Sequence, residues 1–209
     1  MLNNQAFSRR RFASHLVGVL TYLVCEVPSP GDYVISVWDG KQLYRTLFLQ
    51  AREGDSNSQV DIDLASLTKT SADASKRHIA PKGRLVIYCS RGSREFRITI
   101  VRKGEQGGGS VFESERLGNS DYFIFIPVLA GKYDFAMASK KPSGTILVAS
   151  PAEKQTPAHQ LEPKRATVAT TGILPKKIEA VPGQPIIFDI QTPTGFEITF
   201  QSGESKPNG

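Results

Sequence analysis

The residue types that carry chemistry are sparse in this chain, and they do not converge. His15, His78 and His159 are scattered, and no His-x-x-x-His, Cys-x-x-Cys or acidic pair at a metal-ligating spacing occurs. No Gly-x-Ser-x-Gly elbow presents a serine to a histidine base. Gly107-Gly108-Gly109 offers backbone amides to a phosphate but lacks the Gly-Lys-Ser/Thr ending and a following helix, so Gly104–Ser110 reads as a hairpin loop. Asp61 and Asp63 share one face of a strand, where they could share a proton or bind calcium. With no further ligand nearby, a solvated polar face is the expectation. The sequence therefore predicts no catalytic residue, no cofactor and no metal, and points away from an enzyme.

Charge offers one candidate surface. Arg91, Arg94, Arg97 and Arg102, with Arg84 and Lys103 near them, gather on one turn and strand. They suit docking to an acidic partner, to anionic lipid heads or to nucleic acid. The alternative is a solvated sheet face whose charges protect an edge. Phe96, Ile98 and Ile100 alternate inward past Arg97 and Thr99, whereas nucleic-acid sheets interleave exposed aromatics with basic residues, so nucleic acid is not expected. The formal charge of +6 does not change this: residues 1–25 hold three arginines and no acid, which leaves +3 for the remainder.

Those first 25 residues stand apart. Ser8-Arg9-Arg10-Arg11-Phe12 precedes an apolar run, Leu16–Cys25, too short to cross a hydrocarbon layer of ~30 Å as a helix. The Ser-Arg-Arg-x-Phe pattern, with Ser8, Arg9, Arg10 and Phe12 in its fixed positions, resembles the bacterial twin-arginine export signal. The resemblance implies an exported, periplasmic, membrane-associated protein. No small-x-small cleavage site follows, which suits an uncleaved anchor. Two other readings stay open: a mitochondrial transit peptide, with Arg10–Ser14 as its processing site, and a first buried strand behind a basic tail. Cys25 and Cys89 form no disulfide framework; a bridge between them and a lone buried thiol at Cys89 are both compatible with their positions.

Past Glu26 the elements are strands. With 39% hydrophobic and 22% charged residues in 209, the chain can bury a sizeable core. Asp32–Trp38 alternates, Asp39-Gly40 is a hairpin turn, Lys41–Leu49 returns, and Val60–Leu64 closes a small sheet. Ala65–His78 is polar and reads as a loop. Arg84–Cys89, Glu95–Arg102, Ser110–Arg116, Tyr122–Val128, Lys132–Ala138 and Thr145–Ala149 follow at sandwich-like spacing. Ser150–Arg165, with three prolines, reads as a strap; Lys176–Val181, Gln184–Ile190 and Phe196–Phe200 complete a sheet before the tail 202–209. This late strand order is similar to a cupredoxin's, but the Ala138–Gly144 loop lacks the His and Cys of a copper site.

The Gly-Asp-Tyr, Asp-Gly-Lys and Tyr-Arg-Thr pattern of Gly31–Thr46 resembles transthyretin-like and immunoglobulin-like accessory modules of exported proteins. It implies an all-β fold of tandem immunoglobulin-like β-sandwich modules: a segment 1–25, a small module 26–79, a sandwich 80–150, a Pro-rich linker 151–171 and completing strands 172–201. The expected role is a non-catalytic accessory subunit of a membrane-associated assembly, by analogy an electron-transfer or photosynthetic complex, with protein subunits as partners. The rivals are a carbohydrate-binding module, for which Trp38, Tyr44 and Tyr22 are the candidate exposed aromatics, and a capsid-like protein with Arg9–Arg11 as a basic arm.

Overall fold

The computed structural model describes residues 8–67, 77–104, 110–137, 143–150 and 161–202. They form seventeen strands: β1 (Arg11–Ala13), β2 (Thr21–Glu26), β3 (Gly31–Asp39), β4 (Gln42–Ala51), β5 (Gln59–Asp63), β6 (Arg77–Ile79), β7 (Arg84–Tyr88), β8 (Arg97–Arg102), β9 (Ser110–Glu113), β10 (Asp121–Phe125), β11 (Gly131–Met137), β12 (Gly144–Val148), β13 (Lys164–Ala169), β14 (Gly172–Leu174), β15 (Lys177–Ala180), β16 (Ile186–Ile190) and β17 (Phe196–Ser202). Among the described residues there is no α-helix, only two 3₁₀ turns. The expected all-β class holds.

Period-two alternation explains why these segments are strands: Tyr33, Ile35 and Val37 are buried while Val34, Ser36 and Trp38 are half-exposed. The hairpin turn falls one residue later than expected. Asp39 pairs with Gln42, so Gly40 and Lys41 form the loop, with Gly40 at φ +59. Three sheets result. A central seven-stranded sheet runs β14-β13-β16-β10-β2-β7-β5, and two five-stranded sheets run β1-β17-β11-β12-β15 and β6-β4-β3-β8-β9.

The chain repeats itself. Residue types recur at a spacing of 100, among them Phe12/Phe112, Ser14/Ser114, Gly18/Gly118, Tyr22/Tyr122, Gly31/Gly131 and Tyr33/Tyr133. Exchanging β1, β2, β3, β4, β5, β6, β7 and β8 for β9, β10, β11, β12, β13, β15, β16 and β17 turns one five-stranded sheet into the other and reverses six strands of the central sheet, where β14 alone has no counterpart. Registers follow the same rule: Tyr22 opposes Tyr88 as Tyr122 opposes Asp189, and Ala51 opposes Ile79 as Val148 opposes Ala180. Leu20, at φ +79, corresponds to Ser120 at φ +71, and Lys82 at φ +64 to Gly183 at φ +83. Tyr33 Oη donates to Ser29 O at 2.6 Å, and Tyr133 Oη donates to Leu129 O at 2.9 Å. Each closes a corner, with the tyrosine hydroxyl on the backbone carbonyl four residues upstream.

The pseudo-twofold passes between β2 and β10, where Leu23 and Phe123 oppose each other. Each half donates its first strand to the other: β1 pairs with β17, and β9 pairs with β8. The halves therefore share one sheet and interlock at their edges.

Several segments differ from the sequence reading. Of the apolar run Leu16–Cys25, only the part from Thr21 is a buried strand: Leu23 and Cys25 lie in the core and β2 is central in the sheet. Val60–Leu64 does not close the β3–β4 sheet, because β5 lies parallel to β7 in the central one. His78 sits on β6 rather than in a loop, and Lys164–Ala169, read as linker, is strand β13 beside β16. β6 is a three-residue strand at a sheet edge, too short to show a period. Residues 68–76 of the polar segment, the Gly-rich loop 105–109, residues 138–142, the strap residues 151–160 and the tail 203–209 lie outside the described residues.

Candidate functional site

The inner face of the central sheet carries Leu23, Leu85, Ile87, Phe123, Ile186 and Phe188, all fully buried. Phe123 packs edge-on to Phe196 at 5.2 Å and Phe12 meets Phe125 at 4.7 Å, so sheets cover this face. The opposite parity points to solvent. Two rows cross its six long strands. One reads Arg165, Ile187, Ile124, Tyr22, Tyr88, Asp63; the next reads Thr167, Asp189, Tyr122, Val24, Val86, Asp61. Val24 is buried beneath its neighbours, whereas the three tyrosines and Ile124, Ile187 and Val86 are half-exposed. Leu174, 53% exposed, extends the second row. The result is an apolar centre across the pseudo-twofold with charges toward both ends, the pattern of an interaction surface.

The rings on this face are not free platforms. Tyr22 and Tyr88 stack on each other at 5.5 Å, and the Arg84 guanidinium lies over Tyr122 at 4.8 Å. Burial and the neighbouring Tyr88 and Asp63 push the Tyr22 phenol above its ordinary pKa, so it remains a neutral hydrogen-bonding group. Trp38 and Tyr44, the other aromatics named for sugar binding, are covered likewise. Arg97 lies over Trp38 at 5.4 Å, and Arg94 and Arg45 lie over Tyr44 at 5.5 and 4.7 Å.

The arginines expected to form a docking surface have local partners. Arg94 pairs with Asp39 at 3.4 Å and Arg97 with Glu115 at 2.8 Å, while Arg102 donates to Pro30 O at 2.5 Å. Arg91 is exposed on the bend before β8. The N-terminal motif is built into the fold as well. Arg9 bridges to Glu95 and donates to Ser93 O at 3.2 Å, Arg10 lies over Phe200 at 5.8 Å, and Phe12 is 3% exposed. Ser8 is at the exposed start of the described chain.

Other chemistry does not assemble. Among the described residues no three His, Cys, Asp or Glu side chains come together to hold a metal ion. Asp63 caps the turn after β5, accepting from Ala65 N at 3.0 Å and Ser90 Oγ at 2.6 Å. Cys25 and Cys89 are free and buried, and burial pushes both thiols up. Asp121 is the exception among the acids. It lies at one end of an open cleft of about 620 Å³ also lined by Glu26, Glu113 and Arg116. It is 9% exposed, accepts from Gly118 N at 2.6 Å, and burial raises its pKa to about 6.

Sequence reasoning singled out Tyr22, Asp61 and Asp63 from the outer face, without bringing them together. Tyr88 and Tyr122 lie on strands whose neighbours in space are distant in sequence, but the Tyr22/Tyr122 repeat is a signal that could have found the second. No family model, no curated protein and no solved structure matches this chain.

Proposed function

We propose that this chain is a non-catalytic docking subunit that binds a protein partner through the outer face of its central sheet. The observation that supports this best is the apolar centre of that face, Tyr22, Tyr88, Tyr122, Ile124 and Ile187, placed across the pseudo-twofold. Core packing and turn geometry explain the other five recurrent pairs named above. Tyr22 and Tyr122 recur with half-exposed side chains on the face that no sheet covers among the described residues. Rings whose faces are taken by a neighbouring ring or a guanidinium suit the edge contacts and hydroxyl bonds of a protein interface better than stacking by a sugar or a base.

In this reading each half is an immunoglobulin-like unit, supported by the paired tyrosine corners at Tyr33 and Tyr133, and the host is a membrane-associated assembly, supported by the Ser8–Phe12 pattern. Among the described residues no helix is long and apolar enough to cross a membrane, so attachment runs through the partner or through the first residues. An exported form keeps residues 8–26, because β1 and β2 belong to the fold. The test is a photo-crosslinking residue at Tyr88 in cells, followed by gentle detergent extraction. A protein adduct that disappears when Ile124→Lys is added supports the reading. Equal labelling from a control site at Leu43, or none from Tyr88, sinks it.

A further inference from the structure

We infer that the outer face of the central sheet is self-complementary and that its partner includes a second copy of this chain. The inference rests on the reading of that face as a docking surface and names the occupant. In the first row the half-two side of the pseudo-twofold is aliphatic (Ile187, Ile124) and ends in Arg165, while the half-one side is aromatic (Tyr22, Tyr88) and ends in Asp63. Consider two copies face to face about a twofold axis that lies in the interface and runs along the strands. Each position is then reflected to the other side of its own row. Tyr22 meets Ile124, Tyr88 meets Ile187, and Arg165 meets Asp63. In the second row Tyr122 meets Val24. Asp189 comes over Val86, one pleat from Arg84, whose guanidinium already extends over the face toward Tyr122.

Charge selects this orientation. The other in-plane axis, across the strands, would reflect one row onto the next and bring Asp63 against Asp61 with both basic residues unpaired. The remaining charges on the face are consistent with the first arrangement: Glu26 is opposite Arg84 within its own copy, and Asp61 comes over Thr167. An isologous contact of this kind closes on itself and stops at two copies. Six strands ~4.8 Å apart and about five residues long make a footprint of roughly 500 Å² per copy. That is below the ~800 Å² per partner of a stable interface, so the dimer is reversible and concentration-dependent.

The test is sedimentation of the full chain over a wide concentration range, with two single charge reversals on the exposed face. The wild-type chain should show a reversible monomer–dimer equilibrium. Arg84→Asp sets a new carboxylate against Asp189 of the second copy, and Asp189→Arg sets a new guanidinium against Arg84 of the second copy. Each variant alone should therefore be monomeric, with an unchanged far-ultraviolet spectrum and a melting transition that stays cooperative. Mixed one to one, the two variants face each other with opposite charges and should sediment as a heterodimer. A wild-type chain that stays monomeric throughout, or variants that dimerise as well alone as mixed, overturns the inference. In that event, an adduct from Tyr88 to a different protein leaves the docking surface standing without the second copy. Absence of any adduct removes both.

Discussion

The two halves of this molecule build eight equivalent strands in the same register and fill them differently. Half one packs aliphatic side chains of similar size: Leu23, Ile35, Ile87 and Leu47. Their counterparts in half two are Phe123, Phe135, Phe188 and Gly144, so large rings alternate with gaps. The gaps fit the rings: a Cβ at Gly144 would run into the ring of Phe135, and Phe188 is register-paired with Ala166 where Ile87 is paired with Ile62. A core thus constrains total volume and pattern more than identity. The polar differences are more telling. Thr21 caps its turn by accepting from Gly18 N at 2.9 Å, and Asp121 performs the same task from the same position with a buried carboxylate. A neutral cap suffices there, so the acid costs stability that the turn does not require.

The comparison can be broken at several points, the most severe first. Removing residues 1–26 deletes β2, the strand that joins β10 to β7, together with β1. Loss of any cooperative unfolding transition is expected, and a truncated chain that still melts sharply would mean that half two folds alone.

Next comes the packing exchange. Phe188→Ile should cost a few kcal/mol through a cavity, and Ala166→Ile about 1–3 kcal/mol through overpacking. The double variant reproduces half one's Ile87–Ile62 pair and should cost less than the sum of the two. Urea unfolding of all three variants measures the coupling, and strict additivity would show that the two cores are not interchangeable.

Asp121→Thr transplants the neutral cap. Asp121 has a folded pKa of about 6, above its ordinary 3.8. The native state therefore holds a proton that the unfolded chain releases as pH rises between those values, and stability falls across that window. Below it both states are protonated and the variant should match wild type. Above pH 6 the variant should be the more stable, by up to about 3 kcal/mol, since a tenfold difference in proton affinity is worth about 1.4 kcal/mol. Melts at three pH values across the range decide this, and equal pH profiles would remove the cost assigned to the carboxylate.

The smallest effect sharpens the symmetry. Tyr33→Phe and Tyr133→Phe each remove one side-chain to backbone hydrogen bond, about 1 kcal/mol apiece, and Tyr33→Phe also removes the 3.2 Å contact with Ser29 Oγ. A large difference between them in chemical denaturation would show that one corner supports its half more than the other.

Much of this was legible locally. Alternation in Asp32–Trp38 and in Phe96–Arg102 marks strands with one buried face, and Pro and Gly clusters mark their ends. The repeat was also present, in Phe12/Phe112, Ser14/Ser114 and Tyr33/Tyr133. It is diluted by loops of different length. Phe96-Arg-Ile-Thr looks like Phe196-Glu-Ile-Thr at a spacing of 100, yet register sets Ile100 against Phe112 and Ile198 against Phe12, a correspondence of 98. A slip of two residues preserves which side chains face inward, so alternation alone is blind to it.

Residue order by itself determined that this chain is all β, where its turns fall and which side chains alternate inward, because side-chain parity along a strand is a local property of the backbone. Only the tertiary structure decided that β2 is the centre of a shared sheet, that β1 and β9 change places between halves, and that Tyr22, Tyr88 and Tyr122 meet on one open face. Those outcomes depend on which strand edges pair across most of the chain, and backbone hydrogen bonds between edges carry no sequence label.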